Sequence, residues 1–108
     1  MKASLKTKLE QLLERYDELG HLLSDSDVIA DQTLFRTYSM EYAEIEPVVL
    51  CYQKFETATS DLAEAKLMLE DSDPDIQEMA QEEISELESS IEVLDAELQT
   101  HLLPKDPN

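Results

Sequence analysis

The chain has 108 residues and a net charge of −18, with one glycine, one cysteine and no tryptophan. That length holds one domain with a modest core. A single glycine excludes Gly-rich phosphate loops, and a lone cysteine excludes an internal disulfide and fits a reducing compartment. The opening "MKASLKTKLEQ" lacks the apolar core of a signal peptide, and no run has the apolar length of a membrane span, so a cytoplasmic location is expected. Leu, Glu, Ala, Asp and Ser dominate, and long helices are the natural outcome of so little glycine.

The first pattern is Leu5, Leu9, Leu12, Tyr16, Leu19 and Leu23, in alternating steps of four and three that place all six on one stripe. It predicts a helix over about 4–23, with Ser4 as N-cap. The polar run "SDSD" then ends it, because these side chains compete for backbone hydrogen bonds and favour turns. Up to Leu23 the charges cancel, with Lys2, Lys6, Lys8 and Arg15 set against Glu10, Glu14, Asp17 and Glu18.

A second helix is expected over about 31–71, capped by Asp31. Its stripe is Phe35, Tyr38, Tyr42 and Ile45, then Val48, Tyr52, Phe55, Leu62 and Leu69, with Thr59 and Lys66 filling the seam. Pro47 coincides with one phase slip in this stripe. It removes a hydrogen bond to the Ala43 carbonyl and disfavours helical geometry at Glu46, which predicts a kink or short break.

The third helix is expected over about 74–103. Asp73 suits the cap, Pro74 the first helical position, and Asp75 and Glu78 the positive end of the dipole. Ala80 is followed by Ile84, Leu87, Ile91, Leu94 and Leu98 in a strict heptad of the kind that winds helices together. His101 falls on the same seam, where a partly buried structural histidine is expected. Short polar connections make long helices antiparallel neighbours. The expected fold is therefore all-α: an elongated three-helix bundle in which the two longer helices form an antiparallel coiled-coil hairpin.

From Leu67 to Pro104 there is no Lys or Arg, while twelve acids run from Glu70 to Glu97. Such a surface is repelled by phosphate backbones, so direct sequence-specific nucleic-acid readout is not expected. It reads either as a solvated face or as a docking face for a basic partner. No catalytic constellation stands out. His21 and His101 lack metal-ligand partners at helical spacing, Cys51 has no neighbour to activate it, and Glu82, Glu83 and Glu86 read as a solvated face. Tyr16, Tyr38, Tyr42 and Tyr52 lie on apolar stripes and read as core. No catalytic residue, metal or cofactor is expected, and the residues by themselves describe an interaction module. A stand-alone acidic scaffold or dimerisation module, or a nucleic-acid mimic, is an alternative in kind.

Three stretches together resemble the N-terminal helical domain of bacterial peptide chain release factors, especially the release-factor-one type. They are "VIADQTLFRTYSMEYAEIEPVVLCY" (Val28 to Tyr52), "AKLMLEDSDPDIQEMAQEEISELE" (Ala65 to Glu88) and "LLPKDP" (Leu102 to Pro107). Pro47 also sits where this family often has proline. The resemblance implies a non-catalytic first domain over 1–103, with 104–108 beginning a linker to further domains in cis. It implies that the whole factor directs termination at UAA and UAG, reading the codon with a Pro-x-Thr tripeptide and triggering hydrolysis with a Gly-Gly-Gln loop. Neither motif occurs in this chain. The implied partners are the ribosome, at its stalk-base protein and GTPase-associated region, and the recycling GTPase release factor. The acidic turn, with Glu70, Asp71, Asp73 and Asp75, is the expected contact tip.

Overall fold

A computed structural model describes residues 2–104, all of whose regular structure is helical. There are four helices: α1 (Ala3–Leu22), α2 (Ser26–Ala30), α3 (Gln32–Met68) and α4 (Pro74–Leu102). The two long helices pack against each other, as expected for an all-α bundle. The stretch expected to begin a linker lies, from 105 onward, outside the described residues.

The chain divides into two compact units. One comprises residues up to Leu50 with the end of α4, and the other is Cys51–Thr100. In the first, Leu19, Ile45 and Val49 form a buried cluster against which Leu12, Leu13, Tyr16, Leu22, Tyr38 and Tyr42 pack. The α1 stripe points inward as its spacing predicts, with Leu9 and Leu19 buried and Leu5, Leu12, Tyr16 and Leu23 half-buried. Ser4 is not the cap. The helix already starts at Ala3, Lys2 occupies the N-cap position without a side-chain bond, and Ser4 lies within the first turn.

The "SDSD" stretch does turn the chain, but it also starts a helix too short for periodicity to reveal. Asp25 accepts from the Asp27 amide at 2.8 Å and caps the five-residue α2, which Val28 anchors by burial. Asp31 then serves two helices. Its own N–H closes α2 on the Val28 carbonyl, and its carboxylate accepts from the Thr33 and Leu34 amides at 3.1 and 3.2 Å to open α3.

Pro47 does not break α3, which is an unbroken helix of 37 residues. Pro47 and Ala43 are both exposed, so the carbonyl deprived of its donor lies on the solvent side, where it is not a buried unpaired group. The phase slip widens the stripe instead: Ile45, Val48 and Val49 are all buried. Phe35, at the start of the expected stripe, is 40% exposed.

In the second unit the last turns of α3 and most of α4 form a hairpin closed by a short turn. The Cys51 Sγ donates to the Leu94 carbonyl at 3.7 Å, each residue about five turns from that connection, so the two segments run antiparallel. The seam differs from the expected one at two positions. Thr59 and Lys66 are exposed, and their neighbours Ala58 and Ala65 are buried in their place. On α4, Ala80 and Leu98 are fully buried, with Ile84, Leu87, Ile91 and Leu94 half-buried between them. Small residues let helix backbones approach closely, and the larger residues between them fill the remaining space. His101 is exposed. The α4 stripe takes a step of four from Leu98 to the fully buried Leu102, which turns His101 outward.

Ala80→Leu is expected to destabilise the protein by about 1–3 kcal/mol through overpacking, while Thr59→Ala stays within about 0.5 kcal/mol. Urea denaturation followed by far-UV circular dichroism measures both, and a neutral Ala80→Leu would refute the alanine-lined seam.

Candidate functional site

Two constellations have enough structure to act. The first is the turn between α3 and α4, in the second unit. After Met68 the chain keeps three tight backbone bonds, from Leu69, Glu70 and Asp71 amides to the Lys66, Leu67 and Met68 carbonyls. The Asp71 carboxylate accepts from the Asp73 amide at 2.8 Å, and the Asp73 carboxylate from the Asp75 amide at 2.9 Å. Gln77 donates its side-chain N–H to the Asp71 carbonyl, and its backbone N–H reaches the Asp73 carbonyl at 3.0 Å, so α4 opens on Pro74 as the sequence predicts.

The four acids of the expected tip are all exposed, but they are not equivalent. Asp71 and Asp73 spend a carboxylate oxygen on the backbone, so they hold the turn in shape. Glu70 and Asp75 project no side-chain bond into it and present charge outward. Three apolar side chains flank the acids, and sequence reasoning passed over them. Leu67 and Met68, in the last turn of α3, are 66% and 42% exposed, and Met79 on α4 is 65% exposed. Their signal was their place beside a seam read only for its inward residues. No three His, Cys, Asp or Glu side chains among the described residues are grouped to hold a metal ion.

The second constellation joins α1 to α3 in the first unit. Arg15 grips Glu41 with two parallel bonds, Nε to Oε2 at 2.6 Å and Nη2 to Oε1 at 2.8 Å, and its remaining Nη1 donates to Glu18. The same guanidinium lies 5.8 Å from the centre of the Tyr38 ring. One helical step on, Tyr16 stacks on Tyr42 with centroids 4.2 Å apart and rings inclined by 17°. The hydrogen bonds that Arg15 donates to Glu41, and then the Glu41 and Glu18 charges, raise the Arg15 pKa against the opposing effect of burial. Arg15 in turn holds the Glu41 carboxyl below its ordinary value, chiefly through the hydrogen bond. The Tyr16 hydroxyl is pushed up to about 12, first by its hydrogen bond with Tyr42, then by burial and the Tyr42 and Glu46 charges.

Cys51 is buried, and that burial, with Glu97 nearby, pushes its thiol up against the weaker pull of Lys54. This is the environment of a packing cysteine rather than a nucleophile. His21 is exposed and lies 3.6 Å from Asp17 on the same helix, while Glu82, Glu83 and Glu86 are exposed along α4. No helix is long and apolar enough to cross a membrane among the described residues.

The described residues thus form an all-helical scaffold with a capped acidic turn in one unit and an aromatic–arginine clasp in the other. The sequence matches the model of the PCRF domain across residues 12–108. The chain belongs to the PCRF-domain family. This is the N-terminal helical domain of peptide chain release factors, the non-catalytic part of these proteins. The family implies a release-factor role in translation termination, and with it interaction with the ribosome.

The structural acids of the turn separate from the outward ones by mutation. Asp73→Ala is expected to cost about 1 kcal/mol as a lost cap, and Glu70→Gln less than about 0.5 kcal/mol, in thermal or urea unfolding.

Glu41 gives a pH signature. Its folded pKa lies below the unfolded value, near the ordinary 4.5, so its contribution is complete above that value. The contribution fades as pH falls through the folded pKa. The stability difference between the parent chain and Glu41→Gln is therefore expected to shrink on acidification below about pH 4.5. Taking this difference cancels the general relief of acidic repulsion, and a difference independent of pH from 6 to 3 (roughly, the span of carboxylate titration) refutes the clasp.

Proposed function

We propose that this chain is the ribosome-docking first domain of a cytoplasmic class I release factor, and that it has no activity of its own. The family match over residues 12–108 carries the reading. The resemblance to the release-factor-one type adds the finer expectation that the whole factor acts at UAA and UAG, with domains in cis supplying codon reading and hydrolysis. This domain then faces the stalk-base protein and the GTPase-associated region, where it influences communication with the recycling GTPase release factor.

The physical features fit a protein-directed contact. The acid-rich stretch beyond Leu67 disfavours rRNA and favours basic protein surface. At the turn, Glu70 and Asp75 supply outward charge, and Leu67, Met68 and Met79 supply exposed apolar area. Charges that steer an encounter, beside apolar groups that hold it, are the usual division of labour in a docking surface. Asp71 and Asp73 keep the presenting turn fixed.

The purified chain is expected to bind ribosomes yet release no formyl-methionine from formyl-methionyl-tRNA on stop-programmed ribosomes. Stop-dependent release by the chain alone would overturn the assignment of its role. A photo-crosslinker attached at Glu70→Cys is expected to label a basic protein of the stalk base. Labelling confined to rRNA, or found only from probes placed on α1, would remove the tip from the contact.

A further inference from the structure

The buried side chains of the two units differ in kind. Among the described residues the first unit buries seven, all leucine, isoleucine or valine, and the second buries Cys51, Ala58, Ala65, Ala80 and Leu98. Hydrophobic stabilisation follows the apolar area taken from water, and an alanine methyl takes little. The larger residues of the hairpin, Ile84, Leu87, Ile91 and Leu94, are half-buried and keep part of their surface wet. The first unit also has the Arg15 clasp and the stack of Tyr16 on Tyr42. The second unit is held by the thinner core.

Charge acts in the same direction. Cys51–Thr100 contains fifteen acids and two lysines, a net charge of −13, whereas the rest of the chain carries −5. The helix α4 has nine acids and no Lys or Arg. Glu78 and Glu82, Glu82 and Glu86, and Glu88 and Glu92 stand four residues apart at exposed positions, where like charges oppose helix formation. The ion pairs among the described residues lie in the first unit, on Arg15 and His21. In the second, Asp71 and Asp73 accept from backbone amides and Asp95 accepts from Gln99 at 2.7 Å, bonds that leave every carboxylate charged.

We infer that the second unit opens by itself, as a minor state in which α3 and α4 separate beyond Cys51 while the first unit stays folded. Repulsion among its own carboxylates sets how often it does so. Separation relieves that repulsion and re-exposes little apolar area, so this half yields before the other. Neutralising the carboxylates shifts the balance toward the closed hairpin. The opening is a property of the hairpin and does not depend on whether its turn docks.

Native-state hydrogen exchange of the isotopically labelled chain, followed residue by residue at about 0.1 M salt, where the screening length is about 10 Å, tests the inference. The amides of Ala58, Ala65 and Leu87 are expected to exchange at least about tenfold faster than those of Leu19 and Ile45 once corrected for intrinsic rates. The double variant Glu86→Lys with Glu92→Lys turns two repulsive pairs into attractive ones at exposed positions. It is expected to raise protection in the second unit by about tenfold and at Leu19 and Ile45 by less than about twofold. Glu10→Lys with Glu14→Lys makes the same change of net charge on α1, also at exposed positions, and is expected to leave Ala58, Ala65 and Leu87 within about twofold of the parent. Equal protection of the two units in the parent chain would overturn the inference, because the domain would then open only as a whole. So would a gain in Glu86→Lys with Glu92→Lys shared equally by Leu19 and Ile45, or an equal gain at Ala58 and Ala65 from the α1 variant.

Discussion

The start of a helix leaves backbone N–H groups without partners, and a chain with one glycine has little recourse to left-handed turns to supply them. Here no described residue has a positive φ, and aspartate carries the burden instead. Asp25 opens α2, Asp31 opens α3, and Asp73 opens α4 with Asp71 holding the turn before it. These joints set where each helix begins, and through that the register in which α3 and α4 meet. Part of the large negative charge is thus an element of the architecture. The remainder is spread along α3 and α4.

The division matters for how the domain presents itself. A docking turn made of flexible acids would lose conformational entropy each time it bound. The turn after Met68 has already lost it, because Asp71, Asp73 and Gln77 are bonded to the backbone. Glu70, Asp75 and the apolar side chains beside them are carried on a fixed frame. In the first unit the same economy appears in the Arg15 clasp, where one guanidinium serves two carboxylates and an aromatic ring.

Much of this was readable in the sequence, for identifiable reasons. The heptad from Ala80 to Leu98 and the caps at Asp31 and Asp73 are local patterns whose meaning does not depend on distant residues. The seam of α3 was misread at Thr59 and Lys66 because counting large apolar residues passes over alanine, and the helices meet through Ala58 and Ala65. The helix α2 escaped because five residues hold barely more than one turn of periodicity. The pairing of Arg15 with Glu41 spans 26 positions and follows only from how α1 lies on α3. At His101 a strict heptad was carried one step too far, and Leu102 took the buried place.

The thiol of Cys51 sits inside the α3–α4 hairpin, bonded to the Leu94 carbonyl and shielded from solvent. Burial of this kind slows attack by a thiol reagent unless the helices open. In a chain with one cysteine, its rate of modification becomes a clock for that opening and measures the local stability of the second unit apart from global unfolding. A partner that seats on the hairpin and holds it shut slows the clock, so the buried sulfur reports, from inside, on events at the surface.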